Sequence, residues 1–143
     1  MSVVAWDGPW VVCDRRATNS SGRYMPVKKY KLLDDGTILA GVGDHTEVQA
    51  LFRWYGTGEK YPEFQQPGDF NTLLVVSTLG DGHLYTHLPE PIKVFPPFAI
   101  GAGADIAMGA MWAGASAGKA VDIACELNIY CGNGTDYIRV GRR

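Results

Sequence analysis

The chain has 143 residues, 46% of them hydrophobic and 20% charged, with a formal net charge of -2. That length suits one domain, 1–143, burying about two-thirds of its unfolded surface. The charge balance argues against nucleic acid or an anionic membrane as partner, the Arg142-Arg143 pair being too short for a basic tail.

Ser2 to Trp6 and Trp10 to Cys13 read as short strands around Asp7-Gly8-Pro9, because Asp-Gly between apolar runs is a strong hairpin signal. Asp7 and Pro9 also break the N-terminal apolar run, which argues against a signal peptide. Residues 15–26 read as a polar loop. Val27 to Leu33 and Thr37 to Val42 form a second hairpin around Asp34-Asp35-Gly36. His45 to Tyr55 reads as a helix, with Val48, Leu51, Phe52 and Tyr55 on one face. Gly56 to Asp69 is a Gly/Pro-rich connection. Thr72 to Thr78 and Leu84 to Thr86 make a third hairpin around Gly80-Asp81-Gly82. Four prolines, Pro89, Pro91, Pro96 and Pro97, break the next stretch, before a short strand at Phe98 to Ile100.

Residues 104–114 and 117–127 read as two helices, the first opened or capped by Asp105 and the second capped by Ser116. Segment 99–118 is too weakly apolar to span a bilayer, and no other stretch approaches the ~20 apolar residues required. Ile129 to Cys131 and Tyr137 to Val140 read as a final hairpin around Gly132-Asn133-Gly134. Hairpin-connected sheets with helices between them indicate an α+β layered domain. The cysteines, Cys13, Cys125 and Cys131, are odd in number without CxxC or zinc spacing. That pattern points to a reducing, cytoplasmic setting.

Two readings of the terminus stand side by side. Most Met-Ser starts are inert and frayed. Yet a small second residue lets Met1 be removed, which frees an α-amino group on Ser2, and a hydroxyl beside its own amine is a nucleophile with a built-in base. Asp14 and Lys29 follow at intervals that bring a carboxylate and an ammonium back to it. Other constellations are poorer. His83 and His87 share a strand face, but a metal there would need a third ligand such as His45 or Glu90. Gly101-Ala102-Gly103-Ala104 lacks the full dinucleotide-loop context and instead suits close helix–sheet packing. The four tryptophans read as core or interface anchors.

Four stretches resemble the proteasome β-subunit family, and within it the bacterial HslV peptidases. Cys13-Asp14-Arg15-Arg16-Ala17-Thr18 is similar to the family's Gly-Asp-x-x-Ala-Thr. Val27-Lys28-Lys29-Tyr30-Lys31-Leu32 is similar to Val-Lys-Lys-x-x-x-Leu. Ala40-Gly41-Val42-Gly43 with Leu51-Phe52 is similar to the strand and helix that follow. Ala99-Ile100-Gly101-Ala102-Gly103, then Lys119 to Ala124 and Ile129-Tyr130, is similar to Ala-Ile-Gly-Ser-Gly and its two helices.

The resemblance implies an N-terminal-nucleophile hydrolase fold, a four-layer α-β-β-α sandwich of two antiparallel sheets, reduced in size. It implies a peptidase acting as a ring-like homo-oligomer on polypeptides, with an ATP-dependent unfoldase as a further partner. Ser2 would be the nucleophile where the family has threonine, with Asp14 and Lys29 as the conserved carboxylate and lysine. Gly43 would supply the oxyanion backbone N–H, although Asp44 fits the alignment equally well. No cofactor is required; at most a structural Na+ would sit on backbone carbonyls near Cys125, Asn128 and Cys131. Three features depart from the family: serine replaces threonine, Ala102 replaces an active-site serine, and Ser2 lies closer to Asp14. The last has two solutions, a hairpin shortened at its tip or a start two residues inside the family's terminus, about 7 Å from the nucleophile position. The competing class is a catalytically inactive assembly protein that keeps the fold.

Overall fold

A computed structural model describes residues 2–19, 21–65 and 70–141. Met1, Ser20, residues 66–69 of the Gly/Pro-rich connection and the Arg142-Arg143 end lie outside them. The first hairpin forms where Asp-Gly placed it. Strands β1 (Val4–Trp6) and β2 (Trp10–Asp14) pair antiparallel, with Val4 opposite Cys13 and Trp6 opposite Val11. Asp7 fixes the turn through its carboxylate, which accepts the Trp10 N–H at 3.0 Å.

The stretch expected to be a loop instead holds a ribbon, β3 (Arg16–Thr18) with β4 (Tyr24–Pro26). Local polar contacts support it. Asn19 Oδ1 accepts the Ser21 and Arg23 N–H groups, each at 3.0 Å, and the Arg16 guanidinium lies 3.9 Å over the Tyr24 ring. Next come β5 (Tyr30–Leu32), β6 (Ile38–Val42) and helix α1 (His45–Thr57). Asp44 caps α1 by accepting the Glu47 N–H at 3.0 Å.

Strands β7 (Thr72–Val76) and β8 (Gly82–Tyr85) form the third hairpin. An unexpected strand, β9 (Ile92–Val94), follows inside the proline-rich stretch. It lies at a sheet edge, the position where flanking prolines are tolerated. Then come β10 (Phe98–Ile100), α2 (Ala104–Trp112), α3 (Ala117–Leu127) and β11 (Thr135–Arg139). Gly103, not Asp105, stands at the N-cap of α2, whereas Ser116 caps α3 by accepting the Lys119 N–H at 3.1 Å. The expected final hairpin does not form. Residues 129–131 make a turn, with Cys131 N–H donating to Asn128 O at 3.2 Å, and β11 pairs with β2.

The other strands build two antiparallel sheets, ordered β10-β1-β2-β11 and β5-β6-β7-β8-β9. Alternation along each strand divides the apolar residues into three layers. Val4, Trp6, Val11 and Cys13 face Ile38, Ala40, Leu74 and Val76 between the sheets. Val3, Ala5 and Val12, on the other face of the first sheet, pack on α2 and α3 through Ala107, Met111, Ala120 and Val121. Leu39, Leu73 and Val75 pack on Val48, Leu51 and Phe52 of α1. The architecture is the α-β-β-α sandwich that the resemblance implies. One helix covers the outer face of the second sheet, and aromatic residues extend the cover. Tyr61 meets Trp54 edge-on at 4.7 Å and donates its hydroxyl to Thr86 O at 2.6 Å.

Candidate active site

Ser2, Asp14 and Lys29 meet at one end of the cleft between the sheets. Ser2 precedes β1, Asp14 ends β2, and Lys29 precedes β5, where its carbonyl accepts the Gly41 N–H at 2.9 Å. All three are buried, at 3%, 0% and 5% exposure. The Lys29 ammonium donates to Ser2 Oγ in a short hydrogen bond and to Asp14 Oδ1 at 2.7 Å. Lys29 thus reaches from the second sheet to bridge two residues of the first.

Asp14 is fully engaged. Oδ1 also accepts the Val3 N–H at 3.0 Å, while Oδ2 accepts Arg16 N–H at 3.2 Å and Gly132 N–H at 3.0 Å. All four contacts are donated to it, as an acceptor-only carboxylate requires. Burial lowers the Lys29 pKa from its ordinary value, against the opposing pull of Asp14. Burial drives the Cys13 thiol far upward, so this neighbour of Asp14 is no competing nucleophile.

Asp14 N–H donates to Val3 O at 3.2 Å, so the β1–β2 ladder continues to the residue beside Ser2. The backbone of Ser2 is gripped from the other side as well. Its carbonyl accepts the Gly103 N–H at 3.0 Å. Gly101 has φ +100°, and a Cβ there would run into Ser2 O and lie 2.8 Å from Ser2 C. The small residues read as packing devices therefore bring the 101–103 loop onto the candidate nucleophile. Ala102, between them, is exposed and carries no hydroxyl.

A cavity of about 290 Å³ opens beside Ser2 and Lys29. Val27, Val48, Phe70 and Tyr130 line part of it, and Gly43 and Asp44 form a turn on its wall. Gly43 has φ +128°, and a Cβ would run into Asn71 Oδ1 and lie 2.7 Å from Phe70 O. Only glycine fits both the backbone conformation and the space. Asp44 N–H is already committed, donating to Asn71 Oδ1 at 2.8 Å. Of the two amides left open as oxyanion donor, Asp44 N–H therefore already has a partner on the protein. Sequence reasoning did not single out Asn71 or Gly132. Neither carries a motif, and both act across the fold rather than along the chain.

The cation expectation concerns the turn after α3. Cys125 lies in the last turn of α3, where carbonyls lack helical partners, and Asn128 O accepts the Cys131 N–H. The effect of each thiol on the other lowers the Cys125 pKa and raises that of Cys131, which burial also pushes up. Among the described residues no group of three or more His, Cys, Asp or Glu side chains could hold a metal.

Two antiparallel sheets packed between helical layers, with Ser2 at the head of the first strand, constitute the N-terminal-nucleophile hydrolase fold. Solved structures specify the type. Thiobacillus denitrificans BPH in complex with epoxomicin is similar at TM-score 0.75 and 16% identity, covering 99% of this chain and 100% of that one. Another structure of the same BPH gives 0.73 at 16% identity, covering all of both chains. Eukaryotic HslV from Trypanosoma brucei gives 0.67 at 17% identity, covering 95% of this chain and 96% of its own. No family model matches this chain, and no curated protein does. The chain has the HslV-type fold.

Proposed function

We propose that this chain is an HslV-like peptidase that hydrolyses peptide bonds with Ser2 as nucleophile once Met1 is removed. The observation that carries this reading is the Lys29 bridge from Ser2 Oγ to Asp14 at the mouth of a cavity. In the proposed step Ser2 Oγ attacks the substrate carbonyl carbon, and its proton passes to the Ser2 α-amine. That amine has a reference pKa of about 7.7–8.0, so near pH 7 it is partly neutral and able to accept. The Lys29 cation depresses that pKa further and stabilises the developing alkoxide. Gly43 N–H holds the oxyanion. The C–N bond then breaks, the leaving nitrogen takes the proton, and an acyl ester remains on Ser2. Water attacks that ester, frees the carboxylate product and restores Ser2.

A homo-oligomer accompanies the proposal. Trp112, Leu127 and Ile129, on or just after α2 and α3, are 73%, 70% and 68% exposed and are suited to contact with other copies. A cytoplasmic setting, an unfoldase partner and Na+ on the 125–131 turn belong to the same reading. The second reading, an inactive assembly protein, is favoured by Ala102, which cannot relay a proton.

Intact mass of the native-terminus protein, before and after a β-lactone, separates the two readings. Loss of Met1 and one adduct on Ser2, absent in Ser2→Ala, supports the peptidase. A retained Met1, or a free Ser2 that never labels in a folded oligomer, supports the scaffold. Light scattering gives the oligomer size in the same samples.

A further inference from the structure

We infer that Asn71 is a positioning residue that shapes the oxyanion-binding turn. This inference rests on the peptidase reading. Asn71 lies one residue before β7 and is 1% exposed. Val42 pairs with Thr72 at the end of the β6–β7 ladder, so Asn71 stands beside Gly43 just beyond it. Its Oδ1 accepts the Asp44 N–H at 2.8 Å. Its Nδ2 donates to Glu47 Oε1 at 2.8 Å, and Glu47 Oε2 accepts the Gln65 N–H at 2.8 Å.

Each contact has a consequence for the turn. An amide side chain anchored at Nδ2 cannot rotate to offer its donors where its acceptor is needed. Oδ1 therefore stays on Asp44 N–H and takes it away from the cavity. That leaves Gly43 N–H as the amide the turn offers to a developing oxyanion. Oδ1 also fills the space that a Cβ on Gly43 would need, so the turn can neither accept a side chain nor collapse inward. Asp44 Oδ1 meanwhile accepts the Glu47 N–H, which ties the turn to the first turn of α1. Oxyanion donors act only when held in place beforehand. Here the holding is done by a buried amide and a carboxylate that never touch substrate.

The test uses native-terminus protein and an N-blocked leucyl-peptide coumarylamide, chosen because Val27, Val48 and Phe70 wall the cavity. Asn71→Ala should lower kcat about 10–100-fold with KM within about twofold, because the lost interaction exists mainly in the transition state. Asn71→Asp alone places two carboxylates together and should also be poor. Combining it with Glu47→Gln reverses the polarity of the clamp: the carboxylate at 71 accepts from both Asp44 N–H and the amide at 47. That double variant should recover most of kcat, which a merely volume-filling role for Asn71 would not require. If Asn71→Ala does not fold, Glu47→Ala is the weaker lesion, with a kcat loss of about 3–10-fold expected. An active wild type whose folded Asn71→Ala or Glu47→Ala keeps kcat within twofold overturns this inference alone. A wild type that neither turns over nor labels at Ser2 overturns the peptidase reading with it.

Discussion

The two walls of the cleft are built by different means. On the nucleophile wall the backbone itself is gripped: Gly103 N–H holds Ser2 O, Gly101 lies against it, and Val3 is tied to Asp14 both by ladder and by carboxylate. Behind it, α2 and α3 pack largely through alanines, which permits close approach. On the facing wall the Gly43–Asp44 turn is held by side chains, Asn71 and Glu47, and the sheet behind it is roofed by one helix and a set of aromatic rings. Backbone clamps fix position with little tolerance for substitution. Side-chain clamps are tunable, and their failures should be graded.

Lys29 crosses from one wall to both Asp14 and Ser2 on the other, so removing it should break the comparison most severely. Lys29→Met is expected to lower kcat/KM by about 10²–10⁴, the range typical of lost acid–base and charge support. Initial-rate kinetics on protein with an unchanged oligomer size checks this. Gly101→Ala comes next. The φ of +100° costs an L-residue about 1–2 kcal/mol before any collision with Ser2 O is counted. A lowered melting temperature and loss of β-lactone labelling are expected together; stable, fully labelled protein would show that the grip is dispensable.

The pH profile sharpens the comparison. On the peptidase reading the Ser2 amine must be neutral and Lys29 charged, so kcat/KM should rise through the amine pKa and fall as Lys29 loses its proton. Burial lowers the Lys29 pKa, so the falling limb should lie below the ordinary 10.5. In Lys29→Met that limb should vanish and the rising limb move upward, because the neighbouring cation is gone. The smallest effect on activity is expected from Trp54→Ala, behind the side-chain-held wall. Trp54 is half-buried, so about 2 kcal/mol of stability should go, below the cost of deleting a fully buried tryptophan. Its kcat should stay within about twofold, which thermal unfolding paired with turnover would check.

The layered fold, and the meeting of Asp14 and Lys29 with Ser2, were legible because local signals agreed. Asp-Gly fixed the first hairpin, the period of Val48, Leu51 and Phe52 fixed α1, and Asp14 and Lys29 sat at strand ends in a recognisable order. What escaped depends on contacts distant in sequence. The β3–β4 ribbon rests on Asn19 and a cross-strand Arg16–Tyr24 pair inside a polar stretch. β9 forms only because β8 offers it an edge. β11 resembled half of a local hairpin, yet its partner β2 is more than a hundred residues away in the chain. Asn71 was hidden for the same reason: next to the apolar run of β7 it looked like a strand boundary, and its partners Asp44 and Glu47 come from another element.

The donors around Asp14 also set an order of events during synthesis. Asp14 Oδ2 receives Gly132 N–H from 118 residues downstream, and Gly132 O in turn accepts Arg15 N–H at 3.0 Å. A nascent chain presents Ser2, Asp14 and Lys29 to the cell well before residue 132 has left the ribosome. Until that segment arrives, Asp14 lacks one of its four donors and Arg15 lacks its carbonyl. On the peptidase reading, the geometry needed to cut a chain is completed only once residue 132 has emerged and docked on Asp14.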